Sequence, residues 1–337
     1  MTDSVRLNEA IRKAQAEGKK SYTIAAKNPN SEDGKYYLDS PIVLPSNFTL
    51  YLFNCTLTMV ADCYANMIVS EGVFDEYASV ATQKKDIRII GIGQAILDQG
   101  PKNDLTEKTS EKEGRPHIMH NCPILFRNVN DFVIEHITIK NQRYWGINLY
   151  YCSNGRISDI RFFATNNMPN QDGIDLRVGC FNIDIFDISG WTGDDSVALT
   201  ALPLGRGEAL MRVEGKSVDI HHVDIARVAT FISGGHQTIR LLNHDGAKIH
   251  DIKINDITDA TLPDKKPARA TVVIGDTHYF KERPAKKGET YNISVWGVDS
   301  HALVGLEVRH NNVENLTYKH VTNPDYTVVR FAEEVTE

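Results

Sequence analysis

Four aspartates stand in two short segments that each run into an apolar stretch. The segment NNMPNQDGID covers residues 166–175, and WTGDDSVAL covers residues 191–199. Carboxylates that are brought together repel one another, and the repulsion raises the pKa of at least one of them. Proteins tolerate that cost for acid–base chemistry or for a metal ion, unless the groups are in fact apart. Which of these three explanations applies, acid–base chemistry, a metal ion or separation of the groups, depends on the structural elements that hold these residues.

Length and composition describe a globular chain with a sizeable core. The 337 residues are 41% hydrophobic and 24% charged, and the formal net charge is −7. No basic block appears, so we expect no nucleic-acid partner. No apolar run approaches the ~20 residues that a membrane span needs, so we expect no membrane partner either. The oligomeric state has no signature in the sequence.

Compartment and cysteine chemistry follow from two local features. The first residues, MTDSVRLNEA, are polar and lack the apolar region of a signal peptide. We therefore expect a cytoplasmic protein, or a secreted one if a signal has been removed. The five cysteines include no C-x-x-C pair and predict neither a disulfide framework nor a zinc ribbon. Cys152 and Cys180 are expected to pack as small apolar groups.

Two repeated patterns run along the chain. The first reads apolar-x-apolar-x-x-apolar, and its middle residue falls at positions 50, 89, 134, 157, 185, 220, 254, 295 and 318. The second reads small-apolar-x-apolar and occurs as GINL (146–149), GIDL (173–176), SVAL (196–199), TVVI (271–274) and GLEV (305–308). Alternation at period two indicates strands. Gaps as short as 23 residues leave no room for crossover helices.

These spacings predict an all-β single domain over residues 1–337, folded as a right-handed parallel β-helix. Nine turns at ~4.8 Å each would make a rod of about 40 Å. Residues 1–20 are predicted to form an amphipathic helix that caps one end, with Asp or Ser as its N-cap. Its inward positions would be Val5, Leu7, Ile11 and Ala14. A β-sandwich is the alternative, although its hairpins would show more regular Asn-Gly or Asp-Gly turns.

The repeat predicts where the aspartates lie relative to one another on successive turns. Asp172 and Asp195 each lie two residues before the first apolar residue of their copies of the second pattern. Stacking should therefore bring their backbones to about one turn spacing. Asp194 sits one step outside, and His236 lies three residues before the next apolar strand residue. The sequence thus predicts three carboxyls and an imidazole at one place.

This set of residues suits glycoside hydrolysis. One carboxyl protonates the leaving oxygen while another activates water. Crowding by Asp172 and Asp194 would raise the pKa of Asp195 and keep it protonated near neutral pH, and a nearby imidazole could tune that proton. Simple turn and loop roles remain open for each motif alone. A calcium site is a further alternative, but the regular ligand spacing of calcium-binding repeats is missing, so no metal or cofactor is predicted.

Several stretches resemble family-28 glycoside hydrolases, the polygalacturonase group of the pectin lyase-like β-helix superfamily. They are DSPIVLPSNFTLYL (39–52), IRIIGIGQAILDQG (87–100), PILFRNVNDFVIEHITIKNQRYWGINLYYC (123–152), NQDGID (170–175), TGDDSVAL (192–199) and SGGH (233–236). The resemblance implies the same β-helix and inverting hydrolysis of a pectin-related or other glycan. It implies that Asp195 is the general acid, that Asp172 and Asp194 hold and activate water, and that His236 supports the protonation state.

The chain departs from that family at positions that contact substrate. Gln237 replaces the second glycine of the family's Gly-His-Gly, and Val273 and Gly275 stand where its Arg and Lys grip a galacturonate carboxylate. We therefore expect polygalacturonic acid to be a poor substrate, unless other cations substitute. The predicted substrate-binding residues are Asn170, Gln237, Arg240, Arg269, His278, Lys281 and Arg283.

The stretch THYFKERPAKKGET, residues 277–290, reads as a basic loop insert. It is predicted to roof one end of the substrate groove, which favours release of end sugars over cutting within a chain. The alternative function is a non-catalytic glycan-binding β-helix, as in a phage or surface protein. A lyase on the same fold is a third reading, and it would need calcium. The crowded carboxyls favour the hydrolase, because a binding protein has no need of them.

Overall fold

The computed structural model describes residues 2–101, 103, 117–164, 169–275, 285–310 and 312–332. Within these ranges the chain is nearly all β-strand, with two α-helices and two short 3₁₀ helices at Val80–Thr82 and Ile118–Asn121. In chain order the helices and strands are α1 (Asp3–Ala16), β1 (Ser21–Ile24), β2 (Tyr36–Leu38), β3 (Ile42–Leu44), β4 (Phe48–Phe53), β5 (Thr56–Met59), β6 (Ile68–Ser70), β7 (Lys84–Ile92), β8 (Ile96–Asp98), β9 (Ile124–Arg127), β10 (Val129–Lys140), β11 (Ile147–Tyr150), β12 (Ser153–Phe163), β13 (Ile174–Arg177), β14 (Phe181–Thr192), β15 (Val197–Ala201), α2 (Arg206–Leu210), β16 (Ile220–Ile232), β17 (Gln237–Asn243), β18 (Ile249–Asp259), β19 (Ala270–Ile274), β20 (Thr290–Asp299), β21 (Val304–Val308), β22 (Val313–Thr322) and β23 (Thr327–Phe331).

The strands form two parallel sheets that the chain visits alternately. The first sheet stacks in the order β1-β4-β7-β10-β12-β14-β16-β18-β20-β22, with β2, β5 and β8 joined alongside. The second stacks in the order β3-β6-β9-β11-β13-β15-β17-β19-β21-β23. The predicted right-handed parallel β-helix is confirmed. Each stack has ten strands rather than nine, because the first turn carries too few apolar residues to display the full pattern.

Left-handed backbone residues explain the uneven spacing of the first pattern. In β10 the residues Asp131 and His136 have φ of 60° and 59°. They bracket Phe132 and Ile134, and Ile137 follows directly. A left-handed residue turns the strand, so the apolar residues on both sides of it face the interior despite their odd separation. The same pair recurs at 154 and 159, 182 and 187, 222 and 227, and 251 and 256.

One turn of the repeat has a different register from the predicted one. The sequence placed Ile220 at the middle of its pattern, whereas the structure pairs Ile185 with Ile225 and Ile225 with Ile254. Both triads fit the apolar pattern. The left-handed residue His222, with φ 52°, lies directly before the triad that the fold uses, and this position matches the bend of the other turns.

Stacked aliphatic side chains fill the interior of the coil. The residues at the middle position of five consecutive turns are each 0% exposed: Ile134, Ile157, Ile185, Ile225 and Ile254. In the copy of the first pattern centred on Ile157, Gly155 stands in place of the first apolar residue, because the Phe132 ring of the preceding turn fills the space. A Cβ at Gly155 would lie 2.0 Å from that ring. Cys152 and Cys180 are buried in the same core as free thiols, as predicted.

The N-terminal helix α1 packs against β1, β2 and β3 and covers the first turn. Leu7, Ile11 and Ala14 are buried as predicted, but Val5 is 40% exposed. The N-cap is Thr2, whose side chain accepts a hydrogen bond from the Val5 N–H, so the predicted Asp or Ser cap is wrong. The second helix, α2, was not predicted. Neither helix of the described ranges is long and apolar enough to cross a membrane.

Candidate active site

The strands β13, β15 and β17 begin at the same edge of the second sheet. Ile174 pairs with Val197, and Val197 pairs with Ile239. Asp172 and Asp195 therefore hold equal positions on neighbouring turns, as the repeat predicted. A backbone hydrogen bond of 2.9 Å from the Gly173 N–H to the Asp195 carbonyl joins the two turns at this level. Strand register thus brings the two motifs together.

The same register explains the position of His236. His236 and Asp194 each lie three residues before a paired strand residue, so the imidazole stacks on Asp194 rather than on Asp195. His236 Nδ1 lies 2.9 Å from Asp194 Oδ1. Gln237 takes the position above Asp195, and its backbone N–H donates to Asp195 Oδ1 at 3.0 Å. The apparent one-residue offset of the histidine is therefore a pairing with a different aspartate.

Asp194 is held as a carboxylate. Its Oδ2 accepts a hydrogen bond from the Asn170 N–H at 2.8 Å, and its Oδ1 accepts one from the Asp195 N–H at 3.0 Å. Burial alone would raise the pKa of Asp194, but the hydrogen bond and charge of His236, together with the Asn170 N–H and the charge of Arg240, outweigh it, so the pKa is lowered overall. That hydrogen bond raises the pKa of His236 in return. The pair therefore favours a negative carboxylate beside a protonated imidazole.

Asp195 lies behind the cavity wall. Its side chain is 0% exposed, and Arg240 Nη1 lies 3.3 Å from its Oδ2. Burial raises the pKa of Asp195, and the neighbouring charge of Asp194 raises it further. The predicted rise has the right direction, although burial contributes more than crowding. Both carboxyl oxygens face N–H donors, from Gln237 and Arg240, and this arrangement suits an acceptor.

Asp172 and Asp175 are buried carboxyls on one turn. Burial raises the pKa of Asp172 well above its ordinary value, and Asp175 is the next contributor. Asp172 lies in the cavity wall, and its Oδ1 has no hydrogen-bond partner among the described residues. Burial also raises the pKa of Asp175, to about 7. Sequence reasoning counted Asp175 among the crowded aspartates but did not place it in the site.

These groups line a cavity of about 510 Å³. The predicted residues Asn170, Asp172, Asp194, His236 and Arg240 are in its wall. Residues that sequence reasoning missed complete it: His117, Trp145, Asp175, Arg177, Arg206 and Glu208. Asp175 and Arg177 lie in β13, Arg206 and Glu208 lie in α2, and His117 and Trp145 lie outside regular elements. The apolar pattern identifies core-facing strand residues, so it did not place these polar and loop residues in a cavity wall. The tryptophan had been noticed only as part of a resembling stretch.

Arg177 is the buried cation of the cavity. Its guanidinium lies 3.9 Å from the centroid of the Trp145 ring. Nη2 is 3.2 Å from Asp175 Oδ1, and Nη1 is 3.4 Å from Glu208 Oε1. A charged group so deeply buried needs such partners, and they fix its position. Arg177 therefore offers a rigid positive wall beside the carboxyls.

The next strand of the second sheet, β19, offers no cation to the cavity. Arg240 pairs in register with Val273 on β19, and Val273 is 0% exposed. Gly275 has φ 79°, and a Cβ there would lie 2.1 Å from the His310 ring, so a lysine would not fit without rearrangement. TVVI thus pairs with the preceding turn as the repeat predicted. That Val273 and Gly275 stand where the resembled family carries its Arg and Lys stays a prediction.

The other predicted substrate-binding residues do not line the cavity or lie outside the described residues. Gln237 is buried at the start of β17, and its side chain does not line the cavity. Arg269 is exposed and does not line the cavity, although its N–H donates to the carbonyls of Gly235 and His236. His278, Lys281 and Arg283 lie outside the described residues, as does most of the predicted insert 277–290.

A metal ligand set can be read from the same residues. Asp194, Asp195 and His236 each offer one ligand atom, and these atoms lie within 4.8 Å of one another. An imidazole in the set suits a transition metal better than calcium, which prefers oxygen ligands. The atoms already pair with donors from the protein, as described above. That the site works without a metal stays a prediction.

Comparison with known proteins gives a family match over part of the chain. Residues 51–204 match the model of Glycosyl hydrolases family 28. This stretch contains Asp172, Asp194 and Asp195, while His236 lies beyond it. No curated protein matches the chain by sequence. The match covers 154 of the 337 residues and agrees with the family that the sequence motifs resemble.

Solved structures share the fold at low sequence identity. An exopolygalacturonase from Thermotoga maritima is 14% identical with a TM-score of 0.56, over 95% of this chain and 73% of that one. A polygalacturonase from Erwinia carotovora ssp. carotovora is 14% identical with a TM-score of 0.50, over 99% and 94%. The tailspike protein of E. coli bacteriophage HK620, solved with a pentasaccharide, is 13% identical with a TM-score of 0.61, over 98% and 61%. At these identities each likeness concerns the fold alone.

The substitution Asp172→Asn is expected to stabilise the fold at pH 7 and to do so less at pH 4. A carboxyl with a raised folded-state pKa binds its proton more tightly when folded, so stability falls as pH rises above the unfolded pKa of about 3.9. Asparagine keeps the shape and removes the titration. Urea denaturation from pH 4 to pH 8 measures the difference, whose slope cannot exceed about 1.4 kcal/mol per pH unit.

Asp184→Asn, at an exposed carboxyl on β14, is the matched control. It should leave the free energy of unfolding at pH 7 nearly unchanged, because the side chain is exposed. An Asp172→Asn protein that gains no more stability at pH 7 than at pH 4 would mean that Asp172 is not held protonated.

Proposed function

We propose that the chain is a glycosyl hydrolase of family 28, on the match of its residues 51–204, and that it cleaves a glycosidic bond of a pectin-related glycan with inversion of configuration. One observation carries the proposal. Two carboxyls with opposite pKa shifts, Asp172 and Asp194, stand on neighbouring turns in the wall of one cavity. Hydrolysis with inversion needs one carboxyl with a proton to give and one with charge to activate water.

Asp172 and Asp194 divide the acid and base roles across the bond to be cut. Without substrate the proton is favoured on Asp172 and the negative charge on Asp194. His236 supplies a second proton at 2.9 Å from Asp194. A sugar that excludes water from the cavity strengthens these interactions, because the local dielectric falls. The three groups thus supply the acid, the base and a proton reserve.

Asp195 has a supporting role in this proposal. The family resemblance implies that it is the acid, but its oxygens accept from Gln237 N–H and approach Arg240, and neither faces the cavity. It could donate a proton to the leaving oxygen only after both contacts opened. We therefore assign it to the orientation of Arg240 and to the protonation balance of its neighbours.

Three isosteric variants test these roles: Asp172→Asn, Asp194→Asn and Asp195→Asn. Each should lose ~10²–10⁴-fold in turnover of a natural glycan. A substrate with an activated aryl leaving group needs no proton, so it should restore rate to the variant that lacks the acid. Azide can replace activated water, so it should restore rate to the variant that lacks the base. We expect that one of the variants Asp172→Asn and Asp194→Asn recovers rate with the activated leaving group and that the other recovers rate with azide. Asp195→Asn should recover rate with neither.

The pattern of rescue decides between the assignments. Recovery of Asp195→Asn with the activated leaving group would restore the acid role that the resemblance implies. Full turnover in any of the three variants would remove that residue from the mechanism. Circular dichroism and denaturation of each variant separate loss of chemistry from loss of fold.

The substrate ring beside β19 is proposed to be something other than an unsubstituted galacturonate. Val273 and Gly275 stand where the resembled enzymes carry the carboxylate-binding Arg and Lys. Hydrogen bonds to charged groups contribute roughly 1.5–3 kcal/mol each, so two missing donors weaken binding on the order of 10²-fold or more. Among the described residues, Arg177, Arg206 and Arg240 are the arginines of the cavity wall that would meet an acidic sugar unit elsewhere on the substrate.

Homogalacturonan oligosaccharides are therefore expected to be cut less efficiently than other pectin-derived or neutral oligosaccharides. Initial rates over such a panel give kcat/KM for each member. Efficient cleavage of homogalacturonan, lost in Arg206→Gln or Arg240→Gln, would contradict this and identify the replacement for the missing clamp. Arg269→Gln is the matched control, since Arg269 is exposed and outside the cavity wall.

A non-catalytic glycan-binding protein is the second candidate function. The likeness to a phage tailspike solved with a pentasaccharide favours it. A binding site gains nothing from three buried carboxyls whose raised pKa values lower stability at neutral pH, whereas a hydrolase uses them. Binding of oligosaccharides without any turnover across the panel would support this candidate over the hydrolase.

A further inference from the structure

A second group of titratable residues lies at the other junction between the two sheets. The catalytic residues precede strands of the second sheet, whereas His222 and Asp251 stand near the starts of β16 and β18 in the first sheet. Both occupy the left-handed bend that recurs at this position from the turn of β4 to that of β22, with φ of 52° and 55°. Neighbouring turns have asparagine at this position, for example Asn182 and Asn292. His222 is thus a histidine at a position that is asparagine or aspartate on the neighbouring turns.

The potential ligand atoms of this group already lie at coordination spacing. Asp251 Oδ2 is 2.7 Å from His250 Nδ1 and 3.8 Å from His222 Nδ1. One ligand atom from each of the three residues lies within 4.8 Å of the other two. Ligands bound at 2.0–2.1 Å around a tetrahedral ion are about 3.3 Å apart. The observed spacings bracket that value, so only small side-chain shifts are needed.

A fourth nitrogen is adjacent. His221 Nδ1 lies 2.8 Å from His222 Nδ1. Its ring stacks on that of His250 with a centroid distance of 4.9 Å and an interplanar angle of 10°. His221 is therefore placed to complete a four-ligand set, or to leave that position to water after a small rotation.

Neighbouring residues fix the orientation of the ligands. Asn292 Nδ2 donates to Asp251 Oδ1 at 2.9 Å, which leaves Oδ2 for the histidines. The Tyr291 ring covers the other face of His250 at 4.6 Å, nearly parallel to it. Partners of this kind orient the ligands of metal sites and raise their affinity. The support comes from the turn above, so the whole group is held by strand register.

The group is open to solvent ions. It borders an open groove of about 910 Å³ that is separate from the catalytic cavity and is lined by His222, Asp251, Asn182 and Asn292. The side chain of His222 is 57% exposed, that of Asp251 33% and that of His250 15%. An ion can therefore enter from the groove and contact ligands on two turns.

We propose that His222, His250 and Asp251 bind one divalent transition metal ion of the Zn²⁺ class, with His221 or water as the fourth ligand. Imidazole nitrogens and one carboxylate suit Zn²⁺ and its neighbours rather than Ca²⁺ or Mg²⁺. The ion links β16 to β18 and stabilises the coil by RT ln(1 + [ion]/Kd). The role is structural and independent of the proposed hydrolysis.

Isothermal titration with ZnCl₂, absorption spectra with CoCl₂ and thermal unfolding with each salt test the site. All proteins carry His236→Gln, which removes the other ligand set. The test variants are His222→Asn, which copies the residue of neighbouring turns, and His250→Phe, which keeps the ring stack. The control is His136→Asn, at an exposed His–Asp pair with no second imidazole, where His136 Nδ1 lies 2.6 Å from Asp159 Oδ2.

We expect the parent and His136→Asn to bind one ion per chain, with tetrahedral cobalt bands and a raised unfolding temperature. His222→Asn and His250→Phe should each bind at least about 10-fold more weakly and lose the shift in unfolding temperature. Equal binding in His222→Asn and His136→Asn would overturn the site. The absence of saturable binding in the parent below millimolar zinc would overturn it as well.

Discussion

Parallel pairing of successive turns in register is the interaction on which the site depends. Ile174, Val197 and Ile239 occupy one level of the second sheet, and their pairing is fixed by backbone hydrogen bonds and by burial of the aliphatic side chains. A slip of one residue would turn each strand's inward side chains outward, which the apolar core forbids. Strand register therefore brings together the residues two and three positions upstream. Asp172, Asp195, Asp194 and His236 meet for this reason.

This arrangement sets stability against function. Burial of three carboxyls on adjacent turns raises their pKa values and disfavours the folded state as pH rises. The stacked aliphatic core offsets this cost, because every turn adds buried side chains. Rigid stacking also serves the chemistry, since groups held by strand register need little reorganisation when charge develops. The scaffold can therefore hold carboxyls together that would repel one another in a flexible loop.

Most of the fold could be predicted because the pattern has physical causes that repeat. Apolar spacing reports which residues face the core, and it located the strands before and after the aspartates. It failed where two triads fit equally well, as at Ile220 and Ile225, because the left-handed bend that distinguishes them has no fixed residue type. It also did not place Arg177 of β13, Arg206 of α2 or Trp145 in the cavity wall, because apolar spacing identifies the residues that face the core and not the polar residues that line a cavity.

Within the site, the sequence predicted which residues meet but not which way they face. Asp194 and Asp195 are neighbours in the chain, yet Asp194 lines the cavity and Asp195 lies behind its wall. That difference depends on donors from the next turn, the Gln237 N–H and Arg240, whose register was uncertain from sequence. The family motif predicted which residues form the site, but not which of its carboxyls faces the cavity and which has a supporting role.

The configuration of the first product tests the central claim most directly. Proton NMR of an oligosaccharide digest, recorded before mutarotation, reads the anomeric signal of the newly formed reducing end. The account predicts that this signal has the configuration opposite to that of the bond that was cut, because Asp172 and Asp194 act on water and leaving group without a covalent intermediate. A first product with retained configuration would contradict it, since one of these carboxyls would then have to attack the sugar itself.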